Sequence, residues 1–157
     1  MRERLPWYVP HVAFEGPTIP KEGIEVFTSA YPFLVGLETS DEAMVYSMVK
    51  IMHTHFEEYK NNAPGAGGWT LDSQKFEQAF VPFHEGAIRY YKEIGAWTEE
   101  AEENNQTNLY RQSILREAWD QFLPSAPEGY QEFEAAWTKF REQALARVNL
   151  ITLGQGL

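Results

Sequence analysis

Five of the nine prolines, Pro6, Pro10, Pro17, Pro20 and Pro32, fall in the first forty residues. Each lacks a backbone donor and disfavours helical geometry in the residue before it, so this region is expected to be extended rather than helical. Within it, Ile24–Thr28 and Phe33–Leu37 combine β-branched and aromatic residues between turn formers, which predicts two short strands. Two strands do not make a stable sheet alone, so they are expected to lie on helices or to pair with a missing or neighbouring partner.

Helical signals begin where the prolines stop. Thr39-Ser40-Asp41-Glu42 has capping-box spacing, and Met44, Met48, Ile51, His55 and Tyr59 recur at three or four residues with Val45, Val49, Met52 and Phe56 beside them. This predicts a helix to about Lys60 with a wide apolar face, ended by the loop Asn61–Gly68. Thr70 and Asp72 suit the cap of a short helix to about Phe80, which Pro82 ends. A second short helix is predicted from about Glu85 to Ile94, with Gly95 at the left-handed position after it. A longer one starts at Thr98-Glu99-Glu100, carries Tyr110, Ile114, Ala118 and Phe122 at intervals of four, and closes at Pro124. Ser125-Ala126-Pro127-Glu128 is a further capping box, opening an amphipathic helix with Phe133, Trp137, Phe140, Ala144 and Val148 on one face. The tail Gly154–Leu157 is expected to fray. The fold class read from this pattern is mainly α (α+β), a helical domain with a small two-stranded β element near the N-terminus.

Size and composition narrow the classes of function. A chain of 157 residues, 43% hydrophobic and 15% aromatic, is long enough to bury about 68–70% of its unfolded surface in one domain, and too rich in Trp, Tyr and Phe for disorder. The formal charge of −10 disfavours nucleic acid and anionic membrane surfaces, which require a positive face. Zero Cys removes disulfides, thiolate zinc sites and Cys nucleophiles. The longest apolar run, around Phe33-Leu34-Val35, is far shorter than a membrane span. Pro6, Pro10 and His11 interrupt what would be the apolar part of an export signal.

Few constellations suggest chemistry. His53 and His55, two apart on a helix, point about 200° from each other and cannot chelate one metal, so one buried and one solvated imidazole is expected. Gly65-Ala66-Gly67-Gly68 lacks the Lys-Ser/Thr that completes a phosphate loop, and it reads as a connector. Glu99, Glu100, Glu102 and Glu103 fit a solvated first helical turn. No motif pairs a nucleophile with a base, and no ligand set for a metal occurs, so no catalytic residue, metal or cofactor is assigned. The dense segment is Phe80–Glu93, where His84 stands at a helix N-terminus and Arg89 offers a fork for a carboxylate. Two readings are open. His84, Arg89, Tyr90 and Tyr91 bind a ligand, or His84 caps the helix, Arg89 pairs with Glu85 or Glu93, and the tyrosines are core.

Val81-Pro82-Phe83-His84-Glu85-Gly86-Ala87-Ile88-Arg89-Tyr90-Tyr91-Lys92-Glu93-Ile94-Gly95 resembles the closing motif of TAXI-family solute-binding proteins of TRAP transporters, roughly P-x-H-P-G-A-x-x-Y-x-x-E-x-G. Asp41–Lys50 is similar to that family's D-x-x-V-Y-x-x-x-K helix. The resemblance spans about residues 6–97, the C-terminal third of such a receptor, with Glu85 where the family usually has proline. Residues 98–157 form a helical extension of what is expected to be a single domain.

The resemblance implies a periplasmic receptor that closes on a small organic anion, often a carboxylate, and delivers it to a permease. For this chain it implies a split or reduced receptor module, with the alternative of a non-catalytic structural or regulatory interaction domain that has lost solute binding. The absence of a recognisable export signal implies the cytoplasm if Met1 is the native start. A homodimer, or a separate partner chain, is expected to cover the surface that a lost lobe would leave, because an aromatic-rich protein otherwise exposes a large apolar patch.

Overall fold

The computed structural model describes residues 8–14, 16–28, 34–63 and 65–152. The chain is mainly α, with a two-stranded antiparallel sheet near the N-terminus. Its packing divides into two compact units, Ser29–Gln106 and Met1–Thr28 with Thr107–Leu157.

The sheet pairs β1 (Val9–Ala13) with β2 (Ile24–Thr28), Val9 opposite Thr28 and Ala13 opposite Ile24. The second of these strands is where the sequence places it. Its partner is not the predicted Phe33–Leu37, whose described residues 34–37 form no strand, but the segment containing Pro10. A two-stranded sheet has a free edge on each strand, so a residue without an N–H can sit in it at no cost to the ladder.

Ser29–Gln106 is built around α1 (Glu42–Thr54), continued after a break at His55 by α2 (Phe56–Tyr59), and around α3 (Glu85–Glu93). The α1 cap is Asp41, whose Oδ1 accepts from Met44 N at 2.8 Å, rather than the expected Thr39 box. The connection to α3 is made of single 3₁₀ turns, Ala66–Trp69, Leu71–Ser73 and Phe76–Gln78. They replace both the expected plain loop and the short α-helix, since no apolar stripe repeats there to reward α geometry. Thr70 caps as predicted, accepting from Ser73 N. Gly95, at φ +71°, ends α3 in the left-handed position expected of it.

The core of this unit is aromatic. Phe76 packs with Phe83, Tyr91 and Trp97 at ring separations of 5.5, 4.7 and 5.5 Å, and Ala87, Tyr90 and Ala101 complete the buried cluster. Val45, Tyr46 and Val49 of α1 pack against it. The expected apolar face of α1 is therefore corrected by about a quarter turn, because Met44, Met48 and Ile51 are exposed.

The long helix α4 (Glu99–Phe122) begins in this unit and ends in the other, where it is followed by α5 (Tyr130–Ala146). Thr98 Oγ1 accepts from Ala101 N at its start. In place of the expected Ser125 box, Gly129 is the residue before α5, with no side-chain cap. Trp119 and Phe122 of α4 meet Phe133, Trp137 and Phe140 of α5, the Trp119 and Trp137 rings standing edge to face at 4.9 Å. Ala118, Phe122 and Leu145 are buried here. Residues 154–157, where fraying was expected, lie outside the described residues.

Candidate functional site

The residues that most resemble a motif come together where α3 lies against α1. The approach is set by Gly86. A Cβ added there would overlap the Glu42 carbonyl oxygen and come within 2.9 Å of Tyr46 N and 3.1 Å of Val45 Cβ. Backbone meets backbone, so only a residue without a side chain fits.

His84 locks the N-terminus of α3 to the entry of α1. Its Nδ1 accepts from Gly86 N at 3.1 Å, so the ring proton belongs on Nε2, which donates to Ser40 O at 3.1 Å. Farther along, Tyr46 donates to Glu93 Oε2, and Lys50 Nζ donates to Tyr46 Oη at 3.0 Å and Glu93 Oε1 at 3.4 Å. The hydrogen bond from Tyr46, with Lys50 beside it, holds the Glu93 carboxyl below its usual range. The bonds to Tyr46 and Glu93 in turn raise Lys50. Both groups are thus charged across the neutral range. The last turn of α1 contributes His53, whose Nδ1 shares a hydrogen bond of 2.7 Å with Tyr90 Oη.

Each of the four residues singled out from the sequence has a definite place. His84 is a helix cap that also bridges to Ser40. Tyr90 is 2% exposed, faces His53 and is pushed up mainly by burial. Tyr91 belongs to the aromatic core, where burial raises its phenol to about 12. Arg89 pairs with neither Glu85 nor Glu93. Its Nη1 donates to Glu42 Oε1 of α1 at 2.6 Å, and its guanidinium lies 4.3 Å from the centre of the Tyr46 ring. Both members of that ion pair are about half exposed, 49% and 51%. The four side chains do not converge on one point. What α3 brings together instead is a band of charge across the face it shares with α1, Glu42 and Arg89 at one end, Lys50 and Glu93 at the other, and Tyr46 between them.

Two asparagines that sequence reasoning passed over hold the approach to α3. Asn104 Nδ2 donates to Phe76 O at 3.0 Å and Ala79 O at 2.9 Å, and buried Asn105 accepts from Phe83 N at 2.8 Å. Their signal was present, since adjacent asparagines inside a helix are poor helix formers unless their amides have work elsewhere. Among the described residues no three His, Asp or Glu side chains gather in a way that would hold a metal ion. No helix among them is long and apolar enough to cross a membrane.

The residues that join α1 to α3, from Ser40 to Glu93, fall with the strand pair before them inside a stretch that an NMT1-like family model matches, residues 1–95. The chain belongs to the NMT1-like family. No curated protein and no solved structure matches it. The family match ends at Gly95, the residue that terminates α3, so α4 and α5 lie beyond it.

Proposed function

We propose that the chain is a non-catalytic solute-binding module of the kind associated with TRAP transporters, close to the TAXI receptors, working in the periplasm as a split or reduced receptor for a small organic carboxylate. The observation that carries this reading is Arg89. Of the four residues picked from the motif, it is the one that holds a polar fork at the surface, stacked on the Tyr46 ring and balanced by a half-exposed glutamate. A carboxylate ligand would meet the planar fork in the way Glu42 meets it now, and would exchange one exposed ion pair for another at little cost. Lys50, on the other side of Tyr46, supplies a second cation within the same band.

The second reading, an interaction domain without solute binding, is favoured by the apolar residues that α1 leaves exposed, Met44, Met48 and Ile51. Calorimetric titration with a panel of small mono- and dicarboxylates separates the two. Under the solute-binding reading the protein takes up at least one of them, Arg89→Ala weakens that binding at least tenfold, and Arg89→Lys weakens it less. Stability of Arg89→Ala without ligand is expected to fall by no more than about 1 kcal/mol, because the pair it removes is half in water. Absence of heat with every carboxylate would favour the interaction domain.

A further inference from the structure

The face of α1 turned away from α3 has an organisation that solvation does not explain. At about 100° per residue, Met44, Met48 and Ile51 lie on one stripe, with Met52 at its border and the cap residues Asp41 and His55 at its two ends. Met44, Met48 and Ile51 are 56%, 52% and 58% exposed. Ser47 and Thr54 flank the stripe, and the charged residues of the helix, Glu42 and Lys50, lie on the α3 side, where they pair. In a chain with 23 acidic residues, the exposed face of this helix thus carries no charge between an aspartate at one end and a histidine at the other.

That arrangement is complementary to itself. We infer that α1 packs antiparallel against α1 of a second copy of this chain, about a two-fold axis beside Met48. Residues whose numbers sum to about 96 then face each other, so Met48 meets Met48, Met44 meets Ile51, and Asp41 meets His55 at both ends. A parallel arrangement would place Asp41 on Asp41 and His55 on His55, and would align the two helix dipoles unfavourably. His55 Nδ1 is 2.8 Å from Glu58 Oε1, to which it donates, so Nε2 is the nitrogen left to face the second copy, and it donates to that copy's aspartate when the ring is protonated on both nitrogens. Asp41 spends Oδ1 on the helix cap and has Oδ2 for the same contact. Methionine suits such a seam because its unbranched thioether adapts to the opposing surface. An interface of ordinary size needs about 800 Å² from each copy, more than one stripe supplies. Leu34, Val35 and Leu37, 60%, 79% and 74% exposed just before α1, add apolar surface at its N-terminal end. This pairing is independent of the solute reading, since it uses none of the residues of the charged band.

Light scattering after size exclusion gives the first test. The protein is expected at twice its 18.1 kDa chain mass, and Met48→Glu, which sets two carboxylates against each other on the axis, at the single mass with an unchanged circular dichroism spectrum. The natural chain has no cysteine, so single cysteines report geometry directly. Under oxidation Met48→Cys is expected to form a covalent dimer, and an equal mixture of Met44→Cys and Ile51→Cys to cross-link more than either alone. Gln112→Cys on α4 serves as the background. A wild-type monomer at millimolar concentration overturns the inference, as does a dimer that survives Met48→Glu. Met44→Cys cross-linking best with itself would overturn the antiparallel arrangement.

Discussion

Gly86 of α3 lies against the backbone of α1 so closely that a methyl group on it would overlap the carbonyl oxygen of Glu42. The two helices are therefore held in contact by the absence of one side chain. The polar links along the same seam, His84 to Ser40 and Tyr46 with Lys50 to Glu93, have their present geometry only at that separation.

Gly86→Ala tests this directly. On an isolated helix the change would stabilise by about 1 kcal/mol, because alanine is the better helix former. Here the clash is with backbone, which yields only if the helices part, and overpacking of this kind costs about 1–3 kcal/mol. A net loss of stability is expected, read as a lower midpoint in urea with an unchanged slope. A gain would mean that the seam is looser than its contacts indicate.

Burial gives Tyr91 a titration that stability should follow. Its phenol ionises at about 12 when folded, against about 10 in an unfolded chain, so the folded state holds this proton more tightly. The resulting contribution is complete below pH 10 and is lost as pH rises through 12, a difference of about 2–3 kcal/mol. Tyr91→Phe keeps the ring and removes the proton. Denaturation at pH 9 and pH 11.5 is expected to show a smaller alkaline loss in that variant than in the wild type.

Glu102 makes the opposite prediction on the acid side. It accepts hydrogen bonds from Gln106 and from the Trp97 indole at 2.9 and 2.8 Å and pairs with Lys92 at 3.0 Å, and these donors hold its carboxyl down to about 2. Its contribution is present above pH 4.5 and disappears as pH falls toward 2. About a third of the side chain is in water, which limits the effect to about 1 kcal/mol or less. Glu102→Gln is expected to flatten the stability curve between pH 4.5 and 2.5 while changing little at pH 7, measured by urea midpoints across that range. An identical acid limb in the two proteins would show that Glu102 is not held as its contacts suggest.

Much of this architecture is local and was legible in the chain itself. Gly95 and Pro124 end helices, Thr98 and Thr70 begin turns, and Ile24–Thr28 forms a strand, because each signal acts on backbone groups within a few residues of it. The motif around His84 was visible for the same reason, since a cap, a glycine and an amphipathic turn are properties of neighbours in sequence.

Tertiary structure decided the rest. Which face of α1 is buried depends on where Gly86 lets α3 approach; hydrophobic periodicity alone joined the methionine stripe to Val45 and Val49 in one wide face, whereas packing buries only the Val45 and Val49 side of it and adds Tyr46. Arg89 had glutamates one turn away on either side, yet it reaches Glu42, 47 residues distant, because the helix crossing brings that carboxylate nearer. The partner of β2 was likewise a matter of chain return rather than of strand propensity, which is why a segment holding a proline fills it. Spacing along a chain fixes what a residue can do with its neighbours; only the packing of α3 on α1 fixes which distant charge it meets.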